Sequence, residues 1–245
     1  MQLDILAIGP HPDDVEIGIG GTLIKHADMG YKCGIVDLTA GETGTNGTPE
    51  IRKQEALKAA EVMGMMTRDC LGLPDARLAV TEEMLRPIIE IIRRYQPKIV
   101  IGPYSKDRHP DHLRAHQLVR EAAHLAGLHK YPAAGEAHRP PVVLQFLLGA
   151  YSDPSIVVDI TPYYERKMEA ICAHASQFAL RADIEVQTYV NDPAFMRGIR
   201  ARDQFVGSLI QVPYAEGIVM DEHVEINDLM SLPGRQRMSH NRNRR

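Results

Sequence analysis

The sequence predicts a single α/β domain: a Rossmann-like, doubly wound, mostly parallel sheet with helices on both faces. Three observations predict it. Short runs rich in Ile, Val and Leu alternate with longer stretches of helical periodicity. The runs are apolar throughout, as strands buried on both faces of a parallel sheet must be. The repeated strand–helix–strand order returns each strand to one sheet by a right-handed crossover.

Taken in order, residues 3–9 (LDILAIG), 33–39 (CGIVDLT) and 98–103 (KIVIGP) read as core strands. Residues 142–150 (VVLQFLLGA) and 155–160 (SIVVDI) read as two more. Helical patterns fall near 20–30, 50–64, 81–95, 112–127 and 162–175. In the third, Met84, Ile88, Ile91, Ile92 and Tyr95 recur at helical spacing, and Pro97 stops the helix before the next strand. In the fourth, Leu113, His116, Gln117, Arg120, Glu121 and His124 share a polar-leaning face, so its amphipathicity is imperfect. Residues 128–142, with Pro132, Pro140, Pro141 and several small residues, read as a long surface loop near a site. No internal repeat or Ser/Gly linker divides the chain.

The chain has 245 residues, 44% hydrophobic and 24% charged, which is enough for a sizeable core and excludes a disordered or collagen-like protein. The formal charge of −4 and the 5% aromatic content speak against nucleic acid as partner. The charge is uneven. Residues 231–245 hold five Arg and no acid, so 23 basic residues face 32 acidic ones in residues 1–230, a charge of −9. The tail reads as a solvated terminus, or alternatively as a basic arm for an acidic neighbouring subunit. Cys33, Cys70 and Cys172 form no CxxC and are expected to be small buried hydrophobes. The start, MQLDILAIG, lacks a basic n-region and reads as a core strand, not a signal peptide. No window approaches 18 apolar residues, so the expectation is a cytoplasmic protein without a membrane span.

Ligands of open α/β sheets sit at the carboxyl ends of the strands. Two His/Asp-rich segments fall there: His11-Pro12-Asp13-Asp14 after residues 3–9, and Arg108-His109-Pro110-Asp111-His112 after 98–103. Each alone is also a turn or helix-cap signal. Together they supply what a catalytic zinc site asks for: imidazole nitrogens, a carboxylate and one open position for water. His11, Asp14 and His112 make that ligand set, the last two 98 residues apart. Asp13, beside a ligand but free of the metal, is the candidate general base. His109 is the candidate for meeting oxyanion charge, with Asp111 placed to orient it. Gly18-Ile19-Gly20-Gly21-Thr22 does not match GxGxxG and reads as close packing around the metal loop. Residues 41–48 (GETGTNGT) read as a flexible rim of the site. Arg52 is placed to fork onto a substrate carboxylate, with a surface salt bridge as the plainer option.

HPDD after the first strand, GG-T opening the next helix and a later HPDH together resemble the PIG-L/LmbE family of zinc-dependent N-acetylglucosamine deacetylases. More narrowly, GPHPDDVEIGIGGTLIKH, RKQEALKAAEVMG, DRHPDH, KMEAICAHASQF and YAEGI resemble the type 1 branch of bacillithiol biosynthesis, which deacetylates N-acetylglucosaminyl malate. The resemblance covers residues 1–230 and leaves out the tail. It implies zinc on His11, Asp14 and His112, with iron(II) or cobalt as substitutes. It further implies Asp13 as base, His109 as protonated oxyanion stabiliser, Asp111 as its partner, and Arg52 as substrate arginine. A malate aglycone calls for a basic clamp: Arg52 first, then Lys106 and Arg108. Tyr104 is the nearest tyrosine for the oxyanion contact that some relatives make. His174, Ser176 and Gln177 belong to a branch signature. The implied assembly is a homo-oligomer, with hexamers in this branch. Two alternatives stay open: a related zinc amidase acting on a thiol conjugate or chitooligosaccharide, and a non-catalytic sugar- or nucleotide-binding α/β module.

Overall fold

The computed structural model describes residues 1–149, 153–178 and 186–231. The apolar runs become strands because alternate residues feed two different cores. Leu6, Ile8, Val36, Leu38 and Val100 enter one core, while Ile5, Ala7, Ile35 and Ile101 enter the other. A strand buried on both faces has no polar side to show, which is why its sequence does not alternate.

Among the described residues seven strands form one sheet: β1 (Ile5–Gly9), β2 (Cys33–Thr39), β3 (Thr67–Leu73), β4 (Ile99–Pro103), β5 (Val142–Phe146), β6 (Ile156–Asp159) and β7 (Ala215–Val219). Their order is β3-β2-β1-β4-β5-β7-β6, with β1 to β5 parallel and β7 antiparallel to both β5 and β6. The helices are α1 (Asp14–Asp28), α2 (Pro49–Met63), α3 (Glu82–Tyr95), α4 (Pro110–Ala126), α5 (Tyr164–Cys172), α6 (Ala175–Phe178) and α7 (Pro193–Ile210). Helices α3 and α4 cover one face of the sheet; α1, α2 and α5 pack together on the other. The predicted fold class is the one observed.

Besides the four-residue α6, three elements have no counterpart in the sequence reading. Strand β3 (TRDCLGL) is an edge strand with mostly half-exposed residues, so it offers no apolar run. Helix α7 and strand β7 lie beyond the last periodicity that was legible. The predicted helix at 20–30 starts earlier, at Asp14, because α1 continues through the glycines with non-helical angles at Ile19 (φ −144°, ψ 15°). At that kink the Ile17 carbonyl accepts from Arg202, and the N–H groups of Gly21 and Thr22 donate to Glu216 (2.9 and 2.6 Å). The fully buried Lys167 holds Glu216 and Asp203 at 2.8 and 2.6 Å, so this charge cluster is internally paired. The glycines serve close approach: a Cβ on Gly18 would stand 2.3 Å from Phe146 Cδ2, and one on Gly21 2.8 Å from Ile160 Cδ1.

Two expectations are corrected. The 128–142 loop lies at the amino ends of the strands, away from the metal motifs. Helix α4 runs back from the carboxyl end of β4, so whatever follows it must start at the opposite edge. There Arg93 donates to the carbonyls of Ala126, Leu128 and Ala133, and His138 Nε2 meets the carbonyl of Pro97 (2.8 Å). Of the cysteines only Cys33 is buried; Cys70, on edge strand β3, and Cys172, at the end of α5, are exposed thiols. The Arg-rich tail predicted at 231–245 lies outside the described residues apart from Ser231. Among the described residues no helix is long and apolar enough to cross a membrane.

Candidate active site and metal centre

The sheet order explains how motifs 98 residues apart meet. The chain leaves β1 toward β2 and β3, then returns to place β4 on the other side of β1. Loops on either side of such a switch point diverge and open a crevice at the carboxyl ends. Residues 10–13 enter it from β1 and residues 104–112 from β4.

The crevice gathers His11, Asp14 and His112. His11 Nδ1 lies 3.0 Å from Asp14 Oδ2, and His112 Nε2 lies 3.4 Å from Asp14 Oδ1. Donor atoms of the three fall within 4.8 Å of one another. Burial opposes charge on His112, yet Asp14 and Asp107 push it up to about 9. Burial likewise opposes charge on His11, but the hydrogen bonds it donates to Asp111, Asp14 and Asp75 hold it well above its ordinary value. Burial opposes ionisation of Asp14, and the two histidines nonetheless keep it well below the usual carboxylate range. Two imidazoles that hold protons against an ionised carboxylate form a site where a divalent cation can replace those protons. Two nitrogens and one oxygen are also a donor set that suits zinc, iron(II) or cobalt.

Asp13 is buried and takes φ 124°, a conformation that L-residues rarely adopt. Its carboxylate meets Arg52, with Oδ2 3.2 Å from Nη2. Burial raises the Asp13 pKa, the Arg52 charge restrains the rise, and the result is about 6. Arg52 does not reach outward as a clamp. Its guanidinium is buried, with Nη2 on the Pro12 carbonyl (2.7 Å) and Asp13 Oδ2 (3.2 Å), and Nη1 on the Gly41 carbonyl (3.2 Å). Residue 41 must be glycine here: φ is +66°, and a Cβ would stand 1.8 Å from Arg52 Nη1.

His109 is the N-cap of α4, and its Nδ1 accepts the backbone N–H of Asp111 (3.2 Å). An accepting Nδ1 leaves the ring neutral with its proton on Nε2. Burial and the neighbouring His112 and His11 lower its pKa, which corrects the expectation of a protonated ring. Asp111 is corrected as well. Its carboxylate accepts from the Ala76 N–H (2.7 Å) and lies 3.5 Å from His11 Nε2, so only its backbone serves His109. Lys106 and Arg108 are exposed and Tyr104 is half-buried on the same loop; none of them forms a hydrogen bond to the metal cluster among the described residues.

Several polar partners escaped the sequence reading. Asp75 lies 3.1 Å from His11 Nε2 and accepts from the N–H and hydroxyl of Thr43 (3.0 and 2.6 Å). It follows β3, the strand that was missed, and the Leu-Pro-Asp turn was its one signal. Asp107 lies 3.1 Å from His112 Nδ1. Below them, Glu16 and Asp37 share the buried Arg68, and His174 Nε2 meets Glu16 Oε1 at 2.9 Å. Ser176 bonds Glu55, and Gln177 holds the Asn46 carbonyl (2.7 Å), latching the 41–48 rim to α6.

The family model for PIG-L, GlcNAc-PI de-N-acetylase, matches residues 6–123, which take in both motifs. Diacetylchitobiose deacetylase of Thermococcus kodakarensis is 34% identical over 186 residues, 71% of this chain and 70% of that protein. The chain belongs to the PIG-L family. Other PIG-L relatives include a probable N-acetyl-α-D-glucosaminyl L-malate deacetylase 2 of Bacillus anthracis, 28% identical over 72% of this chain and 82% of that one. A 4-oxalmesaconate hydratase of Pseudomonas putida is 27% identical over 89% and 88% of the two chains. The crystal structure of a conserved protein from Thermus thermophilus superposes with TM-score 0.84 at 36% identity, covering 92% of this chain and 97% of that one. The chain is accordingly an enzyme of a metal-dependent amide hydrolase family, built on that family's α/β sheet.

Proposed function

We propose that this PIG-L enzyme is a zinc-dependent hydrolase that removes acetate from N-acetylglucosaminyl malate in bacillithiol biosynthesis. One observation carries the reading: Asp13, buried with a pKa of about 6, stands next to a His11–Asp14–His112 donor set. His11, Asp14 and His112 would hold a divalent ion, and its Lewis acidity would then be available to an amide carbonyl and a water. The chain's own residues do the rest. Asp13 takes the proton of the attacking water as its oxygen bonds the acetyl carbon, then hands it to the amide nitrogen as the C–N bond breaks. The products are acetate and the free amine. A base near neutrality suits both halves of this transfer. His109, neutral and carrying its proton on Nε2, donates to the carbonyl oxygen as negative charge builds. Arg52 keeps the Asp13 carboxylate aimed.

The malate aglycone is supported by the branch motifs and by the Bacillus relative; the alternative is a related zinc amidase acting on a different amide, in a thiol conjugate or a chitooligosaccharide. The reading extends to a homo-oligomer, hexameric as in the branch, acting in the cytoplasm. Acetate release is to be measured from N-acetylglucosaminyl malate, methyl N-acetylglucosaminide and diacetylchitobiose, with and without added zinc. Zinc-stimulated release, greatest with the malyl substrate, is the expected result. Asp13→Asn should keep stoichiometric zinc yet lose about 10²–10⁴-fold in turnover. No acetate from any of the three overturns the deacetylase reading.

A further inference from the structure

The site is rich in negative charge. Asp13, Asp14, Asp75, Asp107 and Asp111 surround His11 and His112, and the buried guanidinium of Arg52 is turned onto Asp13. An anionic substrate group therefore needs a cation at the mouth. Arg108 stands there, one residue before His109, with its guanidinium carbon 3.9 Å over the centre of the Tyr189 ring. Tyr189 comes from the segment before α7 and is itself braced edge-on by Phe195, ring centroids 5.2 Å apart. Tyr189 remains 60% exposed, so the pair faces solvent at the rim. Arg108 makes no ion pair among the described residues. A guanidinium stacked by its face keeps its N–H edge free, and that edge matches a carboxylate in two parallel bonds. Stacking also removes much of the rotamer freedom that binding would otherwise take away.

We propose that Arg108, seated on the Tyr189 ring at the mouth of the metal centre, recognises a carboxylate on the aglycone of the substrate. This rests on the deacetylase reading above and names the residues that select among its possible substrates. Lys106, two residues earlier, adds charge without a ring to hold it. The sequence favoured Arg52 for this role; the inward turn of Arg52 passes it to Arg108.

The quantity that tests the proposal is selectivity, the kcat/KM for N-acetylglucosaminyl malate divided by that for methyl N-acetylglucosaminide. Arg108→Gln should lower this ratio by about 10- to 100-fold, the size of a lost charge-assisted pair. Tyr189→Leu should lower it by about threefold through lost preorganisation, and Tyr189→Phe, which keeps the ring, should restore it. In the wild type the ratio should fall with added salt, and in Arg108→Gln it should be flat. An unchanged ratio in Arg108→Gln overturns the proposal while leaving the deacetylase reading intact. If neither substrate releases acetate, the deacetylase reading fails, and calorimetry with glucosaminyl malate against methyl glucosaminide reads the anion preference directly. Binding of the malyl compound that weakens in Arg108→Gln supports the proposal; equal affinity for both compounds overturns it.

Discussion

Arg52 Nη2 lies 3.2 Å from Oδ2 of Asp13 and 2.7 Å from the carbonyl of Pro12, so one buried guanidinium grips both the candidate base and the backbone turn that presents it. The contact joins α2 to the strained residue before α1. It makes Arg52 a positioning residue whose loss is felt in the proton transfer rather than in aglycone binding. Arg52→Gln should lower kcat by about 10–100-fold, typical of a lost orienting partner, by the same factor for malyl and methyl substrates. A rise in KM confined to the malyl substrate would contradict this.

The carboxylates behind the histidines should set metal affinity. Asp75 faces His11 Nε2 and Asp107 faces His112 Nδ1, each orienting a ring whose other nitrogen points at Asp14. Asp75→Asn and Asp107→Asn should each weaken zinc binding by about 10–100-fold, read by competition with a chromophoric chelator. Wild-type affinity in both variants would show that the rings are held by packing alone.

Stability should vary with pH at the Glu16–Arg68–Asp37–His174 cluster. Burial opposes ionisation of Glu16, but Arg68 and His174 lower its pKa from 4.5 to about 2. A depressed carboxylate contributes fully above its unfolded value, and the contribution is lost as pH falls from about 4.5 toward 2. His174 is raised above its ordinary 6.5 by Glu16 despite burial, so its contribution is present below 6.5 and fades as pH climbs through the raised value. Denaturant titrations should show both limbs. Glu16→Gln should flatten the acid limb and lower stability at pH 7 by about 1.5–3 kcal/mol.

Gly18→Ala should destabilise the fold by about 1–3 kcal/mol, because Phe146 is fully buried and cannot yield the space that a methyl needs. Urea unfolding measures it directly. A neutral effect would mean that α1 can shift at its Ile19 kink.

Arg93→Gln should release the 128–135 segment, seen as faster amide exchange there, and leave KM unchanged because the segment lies at the far end of the strands. A changed KM would bring that loop back into the site.

Much of the fold was legible because its first half is made of strands buried on both faces, and such strands leave continuous apolar runs. What escaped was whatever breaks such a run with polar or charged residues. Edge strand β3 carries Thr67, Arg68 and Asp69 where an interior strand would carry Val or Ile. Strand β7 hides a charge, Glu216, against the kink of α1. Missing β3 meant missing Asp75, the residue that follows it and backs His11. Polar partners of this kind come from turns that have no periodicity to read.

The amino-acid sequence by itself determined the chemistry on offer: two imidazoles, a neighbouring pair of carboxylates, and strand ends on which to mount them. It could do so because metal ligands and bases are particular residue types, and strands announce where they stop. Direction was left to the tertiary structure. The same arginine serves a substrate or a catalytic base depending on which way its guanidinium points, and only the burial of Arg52 behind Gly41 turned it toward Asp13. Asp111 offers His109 a backbone N–H rather than its carboxylate, because Ala76 and His11 draw the carboxylate away. Orientation is decided by the packing of neighbours distant in sequence, and in this protein those neighbours arrive on β3, α2 and the segment before α7.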